Sequence, residues 1–134
     1  MPRYATRIDR LETKGSSLEY GLERARRNTP DGTSDAVVSF LANIALDIRL
    51  EQIRDGGRMS QEANNAAFSD RIKVPVLILS GGKDTVISRE MHNALTSAFP
   101  VAEQIVFPDA GHASYAECPE TYHAEIIKFV NKTE

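Results

Sequence analysis

The chain has 134 residues and a formal net charge of -3, with 41% hydrophobic and 26% charged residues, a length and composition that suit one compact domain burying roughly two-thirds of its unfolded surface. The slight acidity, with no dominant basic run or patch, argues against nucleic acid or an anionic membrane as a partner. A single cysteine, Cys118, excludes an intrachain disulfide and paired-cysteine zinc motifs, while no apolar stretch reaches the ~18 residues of a bilayer span and the N-terminus has no signal-peptide core, so a cytoplasmic location is expected.

Residues 1 to 13 are charged and uneven and define no element. Ser16 or Ser17 is placed to cap a helix running to about Asn28, with Glu19 three residues after Ser16, as a capping box requires. The densest basic cluster, Arg24, Arg26 and Arg27, lies among Glu19, Glu23 and Asn28 and reads as a solvated helix face. Thr29-Pro30-Asp31-Gly32 signals a turn. A second helix is predicted after Ser34, because Val37, Val38, Leu41, Ile44, Ala45, Ile48 and Ile53 recur at helical spacing, and Gly56-Gly57 is expected to end it. A shorter helix is predicted from Gln61 to Phe68.

The chain changes character near Arg71. Val74-Pro75-Val76-Leu77-Ile78-Leu79-Ser80 is a short apolar run ending in Gly81-Gly82, the pattern of a strand buried on both faces, with Pro75 at its first residue where no ladder hydrogen bond is lost. Residues 88 to 98 predict a helix with Met91, Leu95 and Ala98 facing inward. Glu103 to Phe107 reads as a second strand, Pro108-Asp109-Ala110-Gly111 as a loop, and Pro119 to Asn131 as a final amphipathic helix. Strand, helix, strand, helix is the order of a parallel βαβ sheet, so the fold class is α/β. Two strands are too few for such a sheet, and at least one edge is expected to stay open and to invite pairing with another chain.

Asp84 follows the first strand and His112 the second, at the ends where open α/β sheets gather their functional groups. If the strands are adjacent, the two side chains are neighbours, and a carboxylate that accepts from an imidazole fixes its tautomer and stabilises its protonated form. The plainer alternative is a loop aspartate capping the next helix and a surface histidine. Other candidates carry less. Ser34, in Gly32-Thr33-Ser34-Asp35-Ala36, follows no strand and serves as a helix cap. Cys118 reads as a packed or partly exposed thiol. Gly81-Gly82-Lys83 lacks the remaining spacing of a phosphate-binding loop, and Asp84 would repel phosphate. His92 and His123 share no ligand spacing, so neither a metal nor a cofactor is expected. Ser114 and Tyr115 either line a pocket or are simply exposed in a loop.

The segment Ile72-Lys73-Val74-Pro75-Val76-Leu77-Ile78-Leu79-Ser80-Gly81-Gly82-Lys83-Asp84 resembles the strand and acid turn near the end of α/β-hydrolases. Phe107-Pro108-Asp109-Ala110-Gly111-His112 resembles their histidine loop, and Glu117-Cys118-Pro119-Glu120 with Ile126, Phe129 and Val130 resembles their last helix. In that family the chain order is Ser, then Asp or Glu, then His, and this sequence matches the last two. The resemblance implies a partial α/β-hydrolase fold, with residues 1–70 as a helical cap-like region and 71–134 as the C-terminal core segment. It also implies Asp84 as the acid and His112 as the base of a serine-type hydrolase. No Gly-x-Ser-x-Gly nucleophile elbow occurs in these 134 residues. The expectation is therefore a truncated or split hydrolase, inactive alone and complete only with a nucleophile supplied elsewhere, acting on an ester, a lactone or another small molecule. A non-catalytic homo-oligomerising or interaction domain derived from the same fold is the alternative. Both readings expect association, with an identical or a complementary chain at the open edge.

Overall fold

The computed structural model of the chain describes Glu12, residues 17–63 and residues 65–133. These fall into two compact units, one within Met1–Arg27 and Ser34–Asn64, the other within Asn28–Thr33 and Asn65–Glu134. No helix among the described residues is long and apolar enough to cross a membrane.

The first unit is helical. Helix α1 (Leu18–Asn28) begins at Ser17, whose Oγ accepts from the Tyr20 amide at 3.2 Å; Ser16, the other expected cap, lies outside the described residues. Helix α2 (Asp35–Ile44) begins at Ser34, whose carbonyl accepts from the Val38 amide at 3.0 Å. Ala25, Val38 and Ala42 form the buried core, with Leu22 and Leu41 packed against it. Such small residues let the two helices come very close. A Cβ added at Gly21 would collide with the backbone of Ala42.

The long second helix predicted through Ile53 is two helices instead. After α2 comes a 3-10 turn (Ala45–Asp47), then extended backbone at Arg49, then α3 (Leu50–Glu62). The Gln52 side chain accepts from the Arg49 amide at 2.8 Å and satisfies a first-turn donor, so the break is capped rather than ragged. Gly56-Gly57 lies inside α3 and does not end it. Glycine lowers helix stability without forbidding the conformation. The helix predicted over Gln61 to Phe68 is also corrected: α3 runs to Glu62, Ala63 is extended, and a 3-10 segment covers Asn65–Arg71. Of the apolar residues expected along α2, Val38 is buried, Val37 and Leu41 are half-buried and Ile44 is exposed, while Ala42 joins the core.

The second unit carries the sheet. Strand β1 (Leu77–Gly81) is followed by helix α4 (Arg89–Ala98), strand β2 (Glu103–Phe107), a short helix α5 (Ser114–Glu117) and helix α6 (Pro119–Thr133). The strands pair in parallel, Leu77 opposite Glu103 through Gly81 opposite Phe107. Pro75 precedes the strand, and the Glu103 amide donates to the Val76 carbonyl at 3.0 Å to open the ladder. Helix α6 packs on the sheet through Tyr122, whose ring lies 5.5 Å from that of the buried Phe107. Lys132 near its end pairs with Glu103 at 2.7 Å.

Among the described residues the sheet has these two strands alone, which explains two departures. β1 is not buried on both faces: Ile78 is buried and its neighbours are half-buried. Met91 and Leu95, expected to face inward, are 53% and 46% exposed. A helix over a two-stranded sheet finds too little floor to cover its apolar side. Helix α5 was not expected at all, and four residues are too few to show periodicity.

Two glycine-to-alanine changes should move stability in opposite directions. Gly21→Ala forces the α1–α2 contact apart and is expected to cost about 1–3 kcal/mol. Gly56→Ala meets open space and is expected to gain about 0.5–1 kcal/mol from helix propensity. Urea midpoints at unchanged m would show the two shifts with opposite sign.

Candidate active site

Parallel pairing sets the carboxyl ends of β1 and β2 side by side, so the segments leaving them meet at once. The Gly82 amide donates to the Phe107 carbonyl at 2.8 Å and the Lys83 amide to the Ala110 carbonyl at 2.9 Å, while Lys83 Nζ reaches Asp109 Oδ1 at 2.8 Å. Such proximity requires a backbone without side chains. A Cβ at Gly81 would strike the carbonyl oxygens of Ala110 and Gly111, and one at Gly82 would strike that of Pro108. Gly81-Gly82 is therefore neither a phosphate cradle nor a simple turn, because its amide and that of Lys83 are already held by the opposite loop.

This approach brings Asp84 and His112 together. His112 Nδ1 lies 3.0 Å from Asp84 Oδ2, and Asp84 Oδ1 accepts from the amides of Val86 at 2.7 Å and Ile87 at 3.0 Å. Burial pushes the Asp84 carboxyl up, but the hydrogen bonds from His112, Ile87 and Val86 and the charge of the imidazole outweigh it and hold the group below its ordinary value. An ionised carboxylate only accepts, so Nδ1 carries the proton of that bond, which leaves Nε2 as the nitrogen whose lone pair can take or release a second proton. The Asp84 side chain is 13% exposed and that of His112 39%.

The histidine loop is held by its backbone as well. The His112 amide donates to the Asn28 carbonyl at 2.9 Å, and Glu117 accepts from the amides of Gly111 and Ala113. Sequence reasoning placed Glu117 in the last-helix motif without a role. No pattern separates an acid that binds backbone amides from one that faces water.

A cavity of about 580 Å³ opens beside the pair. Ile78, Leu79 and Ser80 of β1 and Val106 of β2 line it. Ser114 and Tyr115 line it too, from α5 rather than from a loop, as does His92. His123 instead stands edge-on to Tyr122 at 6.2 Å. Burial and the nearby Glu117 charge raise the Cys118 thiol, whose Sγ bonds the Ser114 carbonyl at 3.2 Å; a thiol so held is a poor nucleophile. Among the described residues, no group of three or more His, Cys, Asp or Glu is arranged to hold a metal ion.

The α/β hydrolase fold family matches residues 25–119, and the chain belongs to that family. A Yersinia pestis protein provisionally named carboxymethylenebutenolidase is 53% identical over 55 residues, covering 38% of this chain and 21% of that protein. Its Escherichia coli K12 counterpart is 46% identical over 57 residues, covering 40% and 21%. Among solved structures, the enol-lactonase from Burkholderia xenovorans LB400 superposes with a TM-score of 0.81 at 18% identity, over 96% of this chain and 50% of that one. A thermophilic esterase from Thermogutta terrifontis gives 0.77 at 22%, over 94% and 47%. The matched region spans about a fifth of the sequence relatives and about half of the structural ones, and the partial α/β-hydrolase fold agrees with the architecture described above.

A carboxyl held below its ordinary value contributes stability that is full above the unfolded value and is lost as pH falls through the folded one. Asp84→Asn should thus destabilise the chain at pH 7. Its deficit against the unsubstituted chain should then shrink as pH drops from about 4 toward the lowered value. Urea unfolding at pH 7 and across that acid range measures the convergence, and parallel curves would show that Asp84 is not the group responsible.

Proposed function

We propose that this chain supplies the acid and base of a serine-type hydrolase, Asp84 orienting His112, and that the nucleophile comes from residues outside these 134. The observation that carries the reading is the 3.0 Å contact between His112 Nδ1 and Asp84 Oδ2. With Nδ1 engaged, Nε2 is the nitrogen able to take the proton of an attacking hydroxyl and pass it to the leaving group, while the carboxylate stabilises the imidazolium formed between these steps. Carboxylic esters and lactones are the substrate classes, supported by the esterase and enol-lactonase among structural relatives and the carboxymethylenebutenolidase name among sequence relatives.

Ser34 Oγ accepts from the Val37 amide at 3.4 Å as a cap at the start of α2, and the thiol of Cys118 is raised. Neither follows a strand, as a nucleophile elbow does. Purified chain is therefore expected to hydrolyse p-nitrophenyl acetate no faster than its His112→Ala variant, and turnover lost in that variant would overturn this part of the proposal. Combined with a polypeptide bearing the Gly-x-Ser-x-Gly half, the chain should give an activity that Asp84→Asn lowers by roughly 10⁴-fold.

Among the described residues β1 pairs with β2 alone, which supports association. An unfilled strand edge favours pairing with a second copy or with the complementary half. Light scattering at micromolar concentration is expected to give a mass above the 14.8 kDa of one chain, and a monodisperse monomer would contradict it. A stable homodimer that stays inactive when mixed with the complementary half would favour the non-catalytic interaction domain.

A further inference from the structure

Three consecutive amides around His112 are each hydrogen-bonded. Gly111 N–H donates to both oxygens of Glu117, at 3.1 and 2.9 Å, Ala113 N–H donates to Glu117 Oε1 at 3.1 Å, and the His112 amide between them reaches the Asn28 carbonyl at 2.9 Å. Gly111 and Ala113 are buried, so an unpaired N–H at either would be costly. The imidazole itself is 39% exposed, and the backbone on both sides of it is held by one carboxylate.

We infer that Glu117 is a positioning residue for His112, one that pins the two flanking amides so that Nδ1 is delivered to Asp84 Oδ2. This rests on the Asp84–His112 pairing proposed above and adds a third residue to it, one that touches neither the ring nor a reacting atom. The charge of Glu117 is spent on backbone donors, which bond an ionised acceptor more strongly than a neutral one. Glu117→Ala removes both acceptor oxygens, so the Gly111 and Ala113 amides lose their shared partner. With those amides free, the segment between Gly111 and Ala113 can rotate and the ring swings off Asp84. Nearby Cys118, whose thiol is raised in part by this carboxylate, marks how close the charge lies to the start of α6.

The test uses the full chain and proton NMR. A low-field resonance from the His112 Nδ1 proton, assigned by its absence in His112→Ala, is expected in the unsubstituted chain and should disappear in Asp84→Asn. In Glu117→Ala, with far-UV circular dichroism unchanged, the same resonance should vanish or exchange with water about tenfold faster. A purely structural role would lower the melting temperature and leave the resonance in place, and that result would overturn the inference while sparing the Asp84–His112 pair. Absence of the resonance in the unsubstituted chain would instead reject the pair itself, and the inference with it. Should Glu117→Ala fail to fold, amide exchange in the unsubstituted chain decides: protection of Gly111 and Ala113 is expected, and free-peptide rates at both would overturn the clamp.

Discussion

The constraint on which the second unit depends is the close approach of two backbones just beyond a pair of parallel strands. Register places Gly81 opposite Phe107, and the chain on each side leaves its strand within hydrogen-bonding reach of the other. Because Gly81 and Gly82 carry no side chain, carbonyls of the histidine loop lie where a Cβ would stand. The ladder thus continues for two more bonds as an irregular clasp. Asp84 and His112 are held at the far side of that clasp, and their contact is a consequence of it. This order of causes matters, because a side-chain pair on two long loops would lose much of its strength to the entropy of ordering them.

Much of the second unit was legible in the sequence because its signals are local. A short apolar run closed by two glycines reads as a strand and turn, and the order of elements implies parallel pairing. From there the nearness of Asp84 and His112 follows by topology. Less local facts were harder. That Gly81 and Gly82 are demanded by an opposing loop 26 to 30 residues away cannot be seen in their own neighbourhood. Nor can it be seen that Glu117 binds amides, since those donors exist at every residue and gain meaning only when the loop folds back.

The helical unit was read less well, and the reason is physical. An apolar period extrapolated across Asp47-Ile48-Arg49 ignores that a helix can stop wherever its first-turn donors find a partner, as Arg49 finds Gln52. The glycine doublet at 56–57 was given too much weight as a stop. In the other unit, the expectation of inward Met91 and Leu95 assumed a sheet wide enough to receive them. Exposed apolar side chains on α4 and the unfilled edge of β1 are therefore one fact seen twice, a sheet narrower than its cover.

The half-open setting of His112 has its own consequence. With Asp84 largely shielded and the imidazole partly wet, the strength of their bond depends on how much water remains in the adjoining cavity. Whatever displaces that water, whether a strand, another copy or a small molecule, lowers the local dielectric and tightens the contact without touching either residue. The imidazole is thus a built-in gauge of occupancy. Its ring resonances should report a visitor in the cavity before any chemistry is asked of the pair.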